Sequence, residues 1–234
     1  MISGSGALTK LGGGAVTLSG NNTYSGGTTV SAGTLLINGN LANSAVIVGN
    51  GATLGGSGTI ASLVDVLAGG TISPGNSPGL LTVGSLDLEV GSSTFMQIFG
   101  SGSAAGTAGT DYDQIAISTP SGLGYGGTLD IDFANTVNFA NITTFNLFRF
   151  LGSASGGFGS VVTTGSGRYA GLTLTDNGLG IWTGVALDGS QTLTFSQSTG
   201  QLQIAKAVPE PSTWAMALTA AGFAGWTARR RKRC

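Results

Sequence analysis

The residues that could carry out chemistry in this chain are mainly aspartates, because its 234 residues include no histidine and a single cysteine. Asp111 and Asp113 form one i, i+2 pair, and Asp130 and Asp132 form a second. This spacing puts both carboxylates of a pair on one face of a strand. Such pairs can act as glycosidase acids or as Ca²⁺ ligands. The alternative, which we favour, is that they only solvate an outer face or a strand entrance.

One serine motif and two glycine motifs also resemble functional sequences. Ser77 lies in a G-x-S-x-G match at 75–79, but that motif needs an activating histidine and an oxyanion N–H from the next residue, which here is Pro78. Residues 122–127 and 165–170 match G-x-G-x-x-G and its alanine variant, yet both lead into strand-like sequence and not into a helix. Zinc is not expected without histidine or a cysteine pair. We therefore predict a non-enzymatic protein with no catalytic residue, no cofactor and no metal.

The body of the chain is predicted to be all-β. Residues 1–99 place short apolar runs between Gly, Asn and Ser, with no sustained helical pattern. Two apolar series recur about every 18 positions: Leu18, Ile37, Leu54, Ile72, Val90, and Val30, Val48, Val66, Val83. That period indicates a β-solenoid, in which coils of two or three short strands stack on one another. A sandwich or barrel of antiparallel hairpins is the competing architecture.

Residues 100–207 are predicted to form a second, more irregular β region that begins with a small-residue linker at 100–109. Eight of the ten phenylalanines lie between Phe95 and Phe158, which indicates wider coils or a bulkier core. This region would be either the cap of the solenoid or a separate small sandwich. The predicted strands are 114–117, 128–133, 144–151, 161–163, 172–175, 180–183, 191–196 and 201–205.

Residues 208–234 are predicted to be a membrane-directed tail. An uncharged run of 17 residues, 212–228, precedes five consecutive basic residues. At ~1.5 Å per residue this run reaches roughly 25 Å, which makes one short transmembrane helix. Trp214 and Trp226 would lie at the two membrane interfaces, and the body would lie outside. The cytoplasmic stop-transfer residues would be Arg229, Arg230, Arg231, Lys232 and Arg233.

The distribution of charge argues against a nucleic-acid partner. The body carries four basic and nine acidic residues, a net charge of −5, which the basic tail hides in a total of −1. A disordered basic tail that binds nucleic acid or an acidic surface is the alternative to a membrane helix, but it needs no uncharged run. The residues after Met1 lack the features of a signal peptide, so we expect the natural protein to begin upstream.

The tail resembles a known sorting signal. Val208, Pro209, Glu210 and Pro211, then the apolar run and the basic cluster, are similar to the PEP-CTERM protein-sorting signal of Gram-negative bacteria, over about 27 residues. The resemblance implies export and recognition by an exosortase-type membrane transpeptidase near Pro209 to Pro211. It also implies a transient or permanent anchor in the cytoplasmic membrane and delivery to the cell surface or the exopolysaccharide matrix.

The body carries a second resemblance. Residues 10–38, 51–60 and 70–79 are similar to the autotransporter-associated β-strand repeat, and the similarity extends over roughly residues 4–90. It implies a right-handed parallel β-helix. Autotransporters end in a large outer-membrane domain, whereas here the sorting tail stands in that place. The sequence thus predicts an exported, adhesin-like structural protein of the cell surface or exopolysaccharide matrix. The alternative is a polysaccharide-binding module or lyase on the same scaffold.

Overall fold

The computed structural model describes residues 1–75, 78–99, 106–134, 139 and 143–207. This part of the chain is all-β, with 23 strands and one short 3₁₀ helix, Gly167–Tyr169. No helix within it is long and apolar enough to cross a membrane. The predicted membrane helix, 212–228, lies outside the described residues.

The strands, in chain order, are β1 (Leu8–Lys10), β2 (Ala15–Leu18), β3 (Asn21–Asn22), β4 (Thr28–Val30), β5 (Gly33–Ile37), β6 (Asn40–Leu41), β7 (Val46–Val48), β8 (Ala52–Gly56), β9 (Thr59–Val66), β10 (Thr71–Pro74), β11 (Leu80–Leu88), β12 (Ser93–Ile98), β13 (Gln114–Ile117), β14 (Leu123–Tyr125), β15 (Thr128–Phe133), β16 (Thr143–Asn146), β17 (Phe148–Arg149), β18 (Ser155–Gly156), β19 (Ser160–Gly165), β20 (Thr173–Asp176), β21 (Ile181–Val185), β22 (Gln191–Ser196) and β23 (Gln201–Lys206).

Most strands up to β19 lie in three columns, and within each column they pair in parallel. Column I contains β1, β4, β7, the second halves of β9 and β11, β14 and β18. Column II contains β2, β5, β8, β10, β12, β15 and β19. Column III contains β3, β6, the first halves of β9 and β11, β13 and β17. The chain visits columns I, II and III in turn, and one circuit is a coil. This arrangement is consistent with a parallel β-helix.

The core is a stack of apolar side chains that point inward from the three columns. Residues along each strand alternate between inside and outside, so equivalent positions of successive coils meet in the interior. Fully buried partners in register are Val30, Val48 and Val66 in column I, Leu35, Leu54 and Ile72 in column II, and Leu41, Ile60 and Val83 in column III. Burial of each of these side chains contributes about 1.5–3 kcal/mol relative to exposure.

Glycines at the corner between columns II and III let the coils approach closely. Gly20, Gly39 and Gly58 hold equivalent positions in three successive coils. A Cβ atom on Gly39 would lie 2.3 Å from the carbonyl oxygen of Gly20, and one on Gly58 would lie 2.1 Å from that of Gly39. The N–H groups of Asn40 and Thr59 donate to these same two oxygens, at 3.2 and 2.9 Å. Only glycine leaves room for this contact.

Beyond β19 the pairing changes from parallel to antiparallel. β19 pairs with β20, and the ladder continues through β21, β22 and β23 to β16. We call β16 and β20 to β23 the terminal sheet. The antiparallel hairpin architecture considered as an alternative describes this sheet, but it does not describe columns I to III, whose strands pair in parallel.

Aromatic side chains fill the wider coils beside the terminal sheet, as the phenylalanine distribution indicated. The buried rings that contact one another are Tyr112, Tyr125, Phe133, Phe139, Phe145, Phe148, Phe158, Tyr169 and Phe195. Their contacts have centroid separations from 4.7 to 6.3 Å, and many are edge-on or tilted. Parallel pairing of β12 with β15 continues across the predicted boundary between residues 99 and 100, and that boundary stays a prediction.

Candidate functional site

Asp111 and Asp113 do not share a face. Asp113 is fully buried just before β13, where its Oδ1 accepts from the Gly79 N–H at 2.7 Å and its Oδ2 from the Gln97 N–H at 2.8 Å. Asp111 is partly exposed, and its Oδ2 accepts from the Thr107 N–H at 2.6 Å. The expectation of a shared face is wrong because a turn over residues 107–112 interrupts the strand alternation before β13 begins.

The Asp113 carboxyl has a perturbed acidity with a structural cause. Burial raises its pKa to about 6, the two backbone N–H donors oppose that rise, and the charge of Asp132 adds to it. A perturbed pKa can mark a catalytic acid, but such a group must reach a substrate. Asp113 has no exposed surface, so its carboxyl is not accessible to a substrate as an acid. Its two hydrogen bonds instead connect neighbouring coils.

Asp130 and Asp132 share a face, and the spacing prediction is confirmed. Both point outward from β15, between inward residues that are fully buried. The Thr164 hydroxyl on β19 donates to Asp130 Oδ1 at 2.7 Å, and Gln97 Nε2 on β12 donates to Asp132 Oδ2 at 2.9 Å. Burial raises the pKa of the Asp130 carboxyl, the Thr164 hydrogen bond lowers it, and the nearby Asp132 charge raises it. The pair thus forms part of a polar ladder across three strands.

The remaining motifs do not form sites in the described part of the chain. Ser77 lies outside the described residues, and Gly75 and Gly79 on either side approach so closely that a Cβ on Gly79 would lie 2.0 Å from the Gly75 Cα. Of the two glycine motifs, one contains β14 and the other a single 3₁₀ turn, so neither opens an α-helix. Across the described ranges, no group of three or more His, Cys, Asp or Glu side chains is placed to hold a metal ion.

The structure brings together residues that the sequence analysis did not single out. A cavity of about 400 Å³ lies between the last coil and the hairpin ends of the terminal sheet. Its lining includes Tyr125, Phe158, Asp176, Gln197 and Ser198. These residues belong to separate segments that no motif links. The concentration of aromatic residues was the one sequence signal that pointed to this end of the fold.

Two family models match the chain, each over a short segment. A passenger-associated-transport-repeat model matches residues 8–37, the segment from β1 to β5. A PEP-CTERM protein-sorting motif model matches residues 207–232. The chain carries a PEP-CTERM sorting motif. Both resemblances noted in the sequence are thereby confirmed, and no curated protein matches the chain. The sorting motif implies an exported, envelope-associated protein that is sorted at its C-terminus by an exosortase-type enzyme, with membrane association.

The sorting motif begins where the terminal sheet ends. β23 ends at Lys206, and the Ala207 N–H donates to the Ser190 carbonyl oxygen at 3.0 Å. The following residues lie outside the described part of the chain, so their individual roles stay predictions. They are the motif residues Val208, Pro209, Glu210 and Pro211, the interface residues Trp214 and Trp226, and the basic residues Arg229, Arg230, Arg231, Lys232 and Arg233.

Proposed function

We propose that this chain is a non-enzymatic, adhesin-like structural protein of the bacterial cell surface or exopolysaccharide matrix. The observation that carries the proposal is the order of its parts: parallel coils, then the terminal sheet, then the sorting motif at 207–232. Column II alone runs through seven strands. At about 4.8 Å between strands it extends over roughly 30 Å on one continuous core. A stack of this kind suits a load-bearing or surface-presenting role.

The finer features of the proposal concern handedness and export. The coils form a right-handed β-helix, as the repeat resemblance implies. Residues 212–228 hold the chain in the cytoplasmic membrane during export, with the basic cluster at 229–233 on the cytoplasmic side. The exosortase-type enzyme then cuts near Pro209 to Pro211 and releases the body. Support comes from the order of an apolar run followed by cations, which is typical of a stop-transfer segment.

The engagement of the carboxylates supports a non-enzymatic role over the lyase alternative. A carboxylate-dependent lyase would need Asp111 or Asp130 in a groove with an aromatic platform. Asp130 instead accepts a hydrogen bond from Thr164 on the outer face of column II, and Asp111 closes its own turn. The aromatic-lined cavity is bordered by a different aspartate, Asp176. That cavity favours the other half of the alternative, a glycan-binding function, which is developed below.

The mass of the protein released from the surface of its native host tests the sorting proposal. We expect the released form to lack the segment from Arg229 to Cys234, whereas a full-length mass would contradict processing. The double variant Pro209→Ala, Pro211→Ala should stay uncleaved in the membrane fraction. Pro120→Ala, at an exposed turn, is the matched control and should be processed normally. If the double variant is released and shortened like the wild type, the assignment of the cleavage motif is wrong.

A further inference from the structure

The cavity between the last coil and the terminal sheet has the build of a small-ligand site. Its volume of about 400 Å³ falls within the range of roughly 300–1,000 Å³ that is usual for ligand clefts. The rings of Tyr125 and Phe158 form its floor, with centroids 4.9 Å apart and planes at 46°. Asp176 and Ser198 are exposed at its rim. An aromatic floor below a polar rim suits a ligand with one apolar face and several polar groups.

Four glycines make up part of the cavity lining. Gly156, Gly178 and Gly180 line the cavity with φ angles of 68°, 83° and 73°, a region that other residues adopt at a cost. Gly157 also lines it but has no such φ. A Cβ atom on Gly157 would lie 3.4 Å from Gln197 Nε2, its nearest neighbour. A larger side chain at Gly157 would therefore enter the cavity without straining the backbone.

The polar groups of the lining have unused hydrogen-bonding capacity. Gln197 is 8% exposed, and its Oε1 accepts from Trp182 Nε1 at 2.7 Å. Because the indole N–H is a donor only, this bond fixes the orientation of the amide and makes Nε2 the opposite group. Nε2 has no hydrogen-bond partner among the described residues. The Tyr125 hydroxyl is likewise buried without a partner in that part of the chain. Asp176 uses Oδ1 to accept from the Gly180 N–H at 3.1 Å, which leaves Oδ2 available.

We propose that this cavity binds one sugar residue of a polysaccharide, a neutral ring that carries hydroxyl groups. The C–H face of the ring packs on Tyr125 and Phe158. Sugar hydroxyls accept from Gln197 Nε2 and donate to Asp176 Oδ2, and the Ser198 hydroxyl can serve either way. Sugar hydroxyls are suited to a lining that offers both a donor and an acceptor, because each hydroxyl can donate and accept hydrogen bonds.

Other ligand classes fit the lining less well. An acidic ligand would meet the like charge of Asp176. A wholly apolar ligand would remove water from the Gln197 amide and the Asp176 carboxylate without replacing their hydrogen bonds. The proposal goes beyond the structural role argued above and does not depend on the sorting motif, since every group it uses lies between Tyr125 and Ser198.

Tryptophan fluorescence gives a direct binding assay, because Trp182 contacts the Gln197 side chain that we expect to touch the ligand. The full chain is purified in a zwitterionic detergent, since sugar headgroups would compete. It is titrated separately with the methyl glycosides of glucose, galactose and mannose and with N-acetylglucosamine. We expect a saturable change with at least one sugar, with Kd about 1 mM or below. Trp182→Phe should abolish the signal.

Three variants assign the binding to this cavity. Gln197→Glu keeps an oxygen for the Trp182 N–H but replaces the free NH₂ donor, so we expect binding to weaken about tenfold or more. Gly157→Leu should fill the cavity and abolish binding. Gly13→Leu is the matched control, because the Gly13 Cβ position in the first coil has free space and an ordinary φ. It should bind as the wild type does.

Two results would overturn the proposal. The first is that none of the four sugars binds the folded wild type, either by fluorescence or by saturation-transfer NMR. The second is that Gly157→Leu or Gln197→Glu, folded by circular dichroism, binds the sugar as tightly as the wild type. Because the two variants act through different atoms, failure of one to fold leaves the other as the test.

Discussion

Substitution of Gly39 by alanine tests whether coil stacking depends on the glycines between columns II and III. The new Cβ atom would lie 2.3 Å from the Gly20 carbonyl oxygen, and Cβ atoms essentially never approach another atom below 3.0 Å. The two coils must therefore separate by about 0.7 Å at this corner. The Asn40 N–H bond to the same oxygen is already 3.2 Å long, so this separation would break it.

The expected loss of stability follows from these contacts. Overpacking of this kind costs about 1–3 kcal/mol, and the lost hydrogen bond costs about 0.5–1.5 kcal/mol. Alanine also restricts the unfolded chain, which offsets the loss by about 0.4–1 kcal/mol. We expect the free energy of unfolding to fall by about 2–3 kcal/mol. Gly39 has no positive φ, so the effect reports the contact between coils and not backbone strain.

Urea unfolding of the full chain, followed by far-ultraviolet circular dichroism, measures this loss. For an m-value of about 2–3 kcal/mol/M, the midpoint should fall by about 1 M. Gly27→Ala is the matched control, because Gly27 has free space around its Cβ position and no positive φ. It should leave the midpoint unchanged or raise it slightly. Equal midpoints for the two variants would refute the stacking argument.

Two further predictions concern buried polar groups. Because the Asp113 pKa is about 6 in the fold and about 3.9 unfolded, the fold holds the proton more tightly, and about 3 kcal/mol of stability is lost as pH rises from about 3 to about 7. Asp113→Asn should remove this part of the fall in urea midpoint, and an unchanged pH slope would contradict its origin in Asp113. Tyr125→Phe deletes an unpartnered hydroxyl and should not lower the melting temperature, whereas Tyr24→Phe breaks a 2.6 Å bond to Thr28 and should cost about 1 kcal/mol. Equal losses in thermal unfolding would contradict this contrast.

The 18-residue spacing correctly predicted which residues of column I are in register over three coils, but the prediction was wrong for the next coil. Val30, Val48 and Val66 are in register, as the spacing indicated. Val83 does not follow them, because it pairs with Ile60 in column III and Leu88 lies beside Val66. β11 runs from column III into column I with a register shift after Val83, so the spacing there no longer equals one coil.

The apolar series that begins at Leu18 combined two different inward positions of column II. Leu54 pairs with Leu35 and not with Ile37, although all three are fully buried. Val90 is 87% exposed and does not belong to the core. Leu35 and Ile37 are two residues apart and point the same way, so spacing alone could not tell which of them continues into the next coil.

Strand positions in the second half were predicted better than strand partners. Residues 114–117, 128–133 and 191–196 form strands with the predicted bounds. The predicted strand 144–151 is divided into β16, which pairs antiparallel with β23, and β17, which pairs parallel with β13. Local composition favours extended backbone, but the choice of partner depends on which strand edge is free in the folded molecule.

Site features were predictable only where their residues are close in sequence. The sorting motif is contiguous, and the Asp130 and Asp132 pair follows from strand alternation. The burial of Asp113 depends on Gly79 and Gln97, which other segments supply. The aromatic-floored cavity likewise needs a coil and two hairpin ends to come together, which no local pattern encodes.

The position of β23 determines how the molecule would carry mechanical load. It is the last strand before the sorting motif and has hydrogen-bonded neighbours on both sides, β22 and β16. A pull applied through the chain after Ala207 therefore enters at an interior strand, and two ladders share the force before that strand can leave. A strand at the edge of a sheet would have a single ladder to resist the pull. In the tethered state proposed above, tension would therefore act on a strand that two neighbouring strands hold in place.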